Sequence, residues 1–168
     1  MKYLVIVLVL IHFTGAPVSW ASDIKSIDRR TYSEENQYYL VFCARHGVPG
    51  HAFVIWGKED YENNLSSQRA FGMYPKDKKL RVGAVPGGVV EEATPRSDTR
   101  LIVRVNREQF EGAASIRSAW AGKDYKLVES DCVTFTSEAA ISIGLDVPAR
   151  WRNLTPQGMV EALLRENN

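Results

Sequence analysis

The chain holds two cysteines, Cys43 and Cys132, and three histidines, His12, His46 and His51. A structural zinc site usually takes four Cys or His ligands. No CxxC is present and the histidines show no ligand spacing, so neither a metal nor a cofactor is expected. The chemistry left open is that of a thiol and an imidazole. Cys132 lies in Glu129-Ser-Asp-Cys-Val-Thr-Phe135, where Ser130 or Asp131 can cap a helix that begins at the cysteine. Unpaired first-turn N–H groups and the positive end of the helix dipole face a sulfur so placed. That setting is expected to lower the thiol pKa and make a nucleophile. Its base must be His51 or His46, and His46 falls in turn chemistry where a solvated role is the default.

These side chains can meet only if the surrounding elements bring them together. Tyr38 to Arg45 reads as a strand, Gly47-Val-Pro-Gly50 as a turn, and His51 to Trp56 as a second strand of the same hairpin. A loop over 46–50 pairs Arg45 with His51, which puts residues 39, 41, 43, 45, 51, 53 and 55 on one face. A helix from Cys132 packed on that face would carry the thiol to His51. Arg69 to Tyr74 is a third short strand ended by Pro75. Residues 75–98 read as a long surface loop with room for one short strand, and Leu101 to Val105 as another strand. Asn106 caps a helix over about 107–120. Tyr125 to Val128 is a brief strand. In the helix from Cys132 an apolar stripe runs through Phe135, Ala139, Ala140 and Ile143 to a stop at Gly144. Thr155-Pro156 starts a third helix with Met159, Val160 and Leu163 inward. Residues 22–37 read as an irregular lead-in. The fold class expected is α+β, a mostly antiparallel sheet packed against helices.

Cys43 shares the His51 face in this scheme. A Cys43–Cys132 disulfide is the competing use of both thiols; closing so long a loop would stabilise the fold by about 4–5 kcal/mol and leave a non-catalytic binding domain.

Gly50-His-Ala-Phe-Val54, followed about 80 residues later by Tyr125-Lys-Leu-Val-Glu-Ser-Asp-Cys-Val-Thr-Phe135, resembles the circularly permuted branch of the papain-like, NlpC-type cysteine hydrolases. In that branch the histidine strand precedes the cysteine helix. The resemblance spans roughly residues 38–145, and Asp131 departs from it where Asn is common. It implies a permuted papain-like fold in which Cys132 attacks a carbonyl carbon, His51 takes and returns the proton, and backbone N–H groups near Cys132 hold the oxyanion. It also implies a polar residue on the strand after the histidine to orient the imidazole. Gln68 is the choice here, with Ser67 or Tyr74 as alternatives. Trp56, Tyr74 and Trp151 are groove candidates, although aromatic core is the commoner use of such residues.

Met1-Lys-Tyr3, the apolar run Leu4 to Phe13, the Gly15/Pro17 breakers and Ser19-Trp-Ala21 have the layout of a secretory signal peptide cut after Ala21. The run is too short to span a bilayer, which needs about 20 apolar residues. Residues 22–168 then form a single domain, secreted or periplasmic, with no stable membrane insertion. Removing Lys2 from the chain's 21 basic and 20 acidic residues leaves 20 of each. A neutral domain offers no field to recruit nucleic acid. The expectation is therefore a cysteine peptidase or amidase acting on a peptide or acyl substrate, with peptidoglycan peptides as the first guess. A lipid acyl hydrolase or acyltransferase is the enzymatic alternative.

Overall fold

The computed structural model describes residues 24–31, 37–59, 65–77, 79, 83–93 and 95–167. The leader expected over 1–21 lies outside them. The strands are β1 (Ile24–Asp28), β2 (Gln37–Arg45), β3 (His51–Glu59), β4 (Leu65–Pro75), β5 (Gly87–Glu91) and β6 (Thr99–Val105); the helices are α1 (Arg107–Trp120), α2 (Cys132–Ser142) and α3 (Pro156–Glu166). The strands form one sheet in the order β1-β6-β2-β3-β4-β5. The architecture is α+β, and the sheet is mixed because β1 runs parallel to β6 while the other neighbours are antiparallel.

The hairpin forms as its spacing predicts, with Arg45 opposite His51 and Cys43 opposite Phe53. α1 starts at its Asn106 capping box and ends at Trp120. α3 starts on Thr155 with Pro156 in its first turn. The predicted α2 stripe is the buried one, from Cys132 through Phe135, Ala139 and Ala140 to Ile143. One strand departs from expectation: residues 24–28 of the supposed lead-in form edge strand β1, whose Ile27 packs against the core. The short strand allowed within residues 75–98 is β5. Tyr125 and Lys126 make only isolated bridges, to Val85 and Ser130.

The sheet buries both faces. Leu40, Phe42, Ala52, Val54, Trp56 and Met73 join the helices in the larger core, while Tyr39, Val41, Cys43, Phe53, Ile55 and Ala70 form a second cluster. This corrects the placement of α2. The hairpin face carrying residues 39, 41, 43, 51, 53 and 55 is not the one α2 covers; the helix packs with Ala52, Val54 and Trp56 on the other. Both faces are rich in large apolar side chains, so period-two alternation cannot say which one a helix will cover.

Candidate active site

Asp131 fixes the start of α2. Its Oδ1 accepts from the Thr134 N–H at 3.0 Å, and its Oδ2 accepts from the Val128 N–H at 2.7 Å and from Arg150 Nη2 at 2.5 Å. This carboxylate, at the position where the resembling family has Asn, is thus a buried N-cap paired with a guanidinium. It holds the 126–130 turn and the 150–152 segment against the helix N-terminus, and Val128 takes a left-handed conformation in that turn (φ 71°).

Cys132 is 5% exposed. Burial pushes its thiol up to about 11, opposing the N–H groups of Ala52 and Val133 and the Arg150 charge, all of which favour the thiolate. The expectation of a low pKa is therefore overturned at rest: the dipole end is present, but desolvation outweighs it. The sulfur adjoins the Tyr125 hydroxyl and the backbone of Ala52, the residue after His51.

His51 projects from the start of β3 toward the face of Phe53. Its Nε2 lies 3.0 Å from Oε1 of Glu92, a carboxylate just past the end of β5 whose side chain is 6% exposed. Burial pushes the Glu92 carboxyl upward, but hydrogen bonds from His51 and Tyr74 and the charges of His51 and Arg45 hold it below the usual carboxylate value. Desolvation lowers His51, against the pull of Glu92. The acceptor on the imidazole is thus ionised and the imidazole is biased toward its neutral form. His51 Nδ1 makes no hydrogen bond among the described residues.

The imidazole rests on a bare stretch of β4. A Cβ added at Gly72 would sit 2.3 Å from His51 Nε2 and 2.9 Å from Glu92 Oε1. Only glycine leaves that space. The Tyr74 ring stacks on His51 with centroids 4.1 Å apart.

Gln68 is not part of this group. It pairs with Gly57, and its amide donates to the Tyr39 hydroxyl at 3.3 Å. Gly57 is six residues along β3 from His51, about 20 Å at strand rise. Ser67 lies further still, opposite Lys58. Of the alternatives, Tyr74 does stand beside the imidazole. Glu92, which sequence reasoning missed, makes the contact expected of Gln68. The available signal was the Val89-Val90-Glu91-Glu92 sequence: strand alternation through it turns one acid out and the next one in. Glu91 indeed pairs with exposed Arg69.

The two cysteines are free, and they belong to the clusters on opposite sides of the sheet. Side chains on opposite faces of a sheet cannot be bridged without moving backbone. The expected alternative of a Cys43–Cys132 disulfide is therefore corrected: both thiols are free. Burial drives Cys43 up to about 12, as suits a structural thiol.

A cleft of about 640 Å³ opens at this end of the sheet. Its wall includes Gly50, His51, Tyr74, Val90, Glu92 and Tyr125. Tyr125 thus reaches both the cleft and the Cys132 sulfur. Trp56 is core and Trp151 is 70% exposed, so of the three groove candidates only Tyr74 lines it. Among the described residues no cluster of three or more His, Cys, Asp or Glu could hold a metal ion, and no helix is long and apolar enough to cross a membrane.

No family model matches the chain, and no curated protein or solved structure matches it.

Proposed function

We propose that this protein is a cysteine hydrolase of the permuted papain-like type, cleaving an amide bond through a thioester on Cys132, with His51 as base and Glu92 as its orienting carboxylate. The observation that carries this reading is the buried Glu92 carboxylate on His51 Nε2, in a cleft whose Tyr125 wall touches the Cys132 sulfur. With Nε2 held by Glu92, Nδ1 is the nitrogen left to exchange protons.

The steps balance. The Cys132 S–H proton moves to His51 Nδ1 as sulfur bonds to the carbonyl carbon, and the carbonyl oxygen takes the electron pair. N–H groups at the α2 N-terminus offer donors to that oxyanion. Collapse expels the amine, which takes the proton from His51. His51 then deprotonates a water, the hydroxide displaces sulfur, and the acid product leaves with Cys132 reprotonated. Cys132 packs on the Ala52 face of β3 and His51 projects to the Phe53 face, and no hydrogen bond joins them among the described residues. A thiol that is neutral at rest acquires its charge only during attack, so the mechanism requires His51 to reach it round the start of β3 in the working state.

The leader-like segment at 1–21 supports an extracytoplasmic substrate, with peptidoglycan peptides first. A second reading, an ester or lipid acyl hydrolase or acyltransferase, is supported by the apolar cleft residues Pro49, Met73, Val89 and Val90. One experiment separates them: incubate the protein with muropeptides and, in parallel, with short-chain acyl esters, and follow products and the intact mass of the enzyme. The proposal expects amide cleavage with a hydroxylamine-sensitive acyl adduct on Cys132, absent from Cys132→Ala. Turnover of esters alone supports the second reading. Turnover that survives Cys132→Ala, or none on any substrate, overturns the hydrolase assignment.

A further inference from the structure

Behind the imidazole and its carboxylate lies a closed ring of three side chains. Tyr74 Oη donates to Glu92 Oε1 at 2.6 Å, Arg45 Nη2 donates to Glu92 Oε2 at 2.8 Å, and the same Nη2 donates to Tyr74 Oη at 2.9 Å. The members come from β2, β4 and the residue after β5, so the ring ties three parts of the sheet together at one carboxylate. We propose that Arg45 and Tyr74 are positioning residues for His51, acting through Glu92: together they fix the carboxylate against the imidazole and offset its charge there.

This inference rests on His51 being the base. A carboxylate bonded only to an imidazole does two things. It orients the ring, and its charge stabilises the protonated form, which raises the midpoint and leaves less of the ring neutral and free to take a proton near neutrality. The ring separates these effects. Oε1 accepts from both His51 and Tyr74, so it cannot swing away without breaking two bonds. Oε2 carries the Arg45 guanidinium, which offsets the negative charge while leaving the Oε1 contact intact. The Tyr74 ring, stacked on His51, and the bare Gly72 below leave the imidazole one resting place. Arg45 also lies over the Phe53 ring at 5.1 Å, which fixes the guanidinium from a second side.

Among the described residues, the titratable or charged groups around His51 are Arg45 from β2, Tyr74 from β4, Glu92 beyond β5 and the cleft-wall residues Lys76, Glu91 and Tyr125; the Cys43 thiol of β2 lies on the same face near Arg45 and Glu92, and the Cys132 thiol lies on the other face. Among the described residues, Arg45 is the one Arg or Lys bonded to the carboxylate that His51 holds. Its removal therefore exposes His51 to an uncompensated Glu92, and the imidazole midpoint rises.

The test is an NMR titration of the His51 ring nitrogens in the full chain, for the native protein and for Arg45→Met, Arg45→Lys and Tyr74→Phe, with fold checked by circular dichroism. Arg45→Met is expected to raise the His51 midpoint by about half a pH unit or more, and Arg45→Lys, which keeps the charge, to restore most of it. Tyr74→Phe keeps the ring stack and the guanidinium, so it is expected to shift the midpoint upward by less. On a cleaved substrate it lowers kcat about tenfold with KM unchanged. A mere strap between strands would lower the unfolding temperature in all three variants and leave the midpoint where it was. That result overturns the proposal, as does an equal shift in Arg45→Met and Arg45→Lys. If Arg45→Met does not fold, Tyr74→Phe decides: an unchanged midpoint in that variant overturns it. The titration needs no substrate, so lack of turnover in the native protein would defeat the hydrolase reading while the midpoints still decide the ring.

Discussion

One hydrogen bond sets the roles of the candidate groups. His51 Nε2 is held by Glu92, Nδ1 makes no hydrogen bond among the described residues, and Gly72 supplies the space in which the ring lies. The sequence pointed to Cys132 and His51 through local signals, a capping acid before a helix and a histidine at the start of a strand. The third group was harder to reach. Gln68 is the right kind of side chain on the right strand, but the strand runs six residues further than needed before it meets His51, so register and not residue type excludes it. Glu92 was hidden because the strand before it opens with two glycines, which read as turn. The two assignments predict different outcomes. Glu92→Gln, which keeps the shape and loses the charge, is expected to lower kcat/KM about a hundredfold, whereas Gln68→Ala leaves it within about twofold; steady-state kinetics on any cleaved substrate distinguishes them.

Short, polar strands and the placement of α2 are where sequence reasoning ran out. The three helices start at their predicted caps, and α1 and α2 also end within a residue or two of expectation, because capping residues mark the starts and Gly144 the second stop. β1 is too polar and too short to announce itself; it exists because β6 offers an edge and Ile27 finds the core. The face that α2 covers was a coin toss for a hairpin apolar on both sides. What secures α2 is Asp131, 3% exposed, which caps the helix and neutralises Arg150. Asp131→Ala removes the cap and leaves a largely buried guanidinium unpaired. It is expected to destabilise the fold by about 3 kcal/mol or more, measured by urea unfolding, with the 126–130 turn released and activity lost alongside stability.

For the molecule as a whole, the titrating groups set a pH window of stability. His51 is lowered from 6.5, so as pH falls below that value the unfolded chain takes up its proton first and stability declines through the folded pKa. Glu92, held below 4.5, adds a further loss as pH falls through its own folded pKa. On the alkaline side Cys132 and Cys43 start from 9.0 and are raised to about 11 and about 12, so the unfolded chain loses those protons first and stability falls as pH rises above 9. Thermal melts across pH are therefore expected to show a plateau between about 6.5 and 9 with both flanks falling. A thiol buried and neutral across that plateau reacts only when a neighbouring base relieves it of its proton. That is the central claim, and the rate at which iodoacetamide alkylates Cys132 tests it most directly. The rate is followed by peptide mass spectrometry from about pH 5 to pH 9, in the native protein and in His51→Ala. The account predicts alkylation at pH 7.5 at least about tenfold slower in His51→Ala, with the native profile falling as His51 protonates. Superimposable profiles for the two proteins would contradict it.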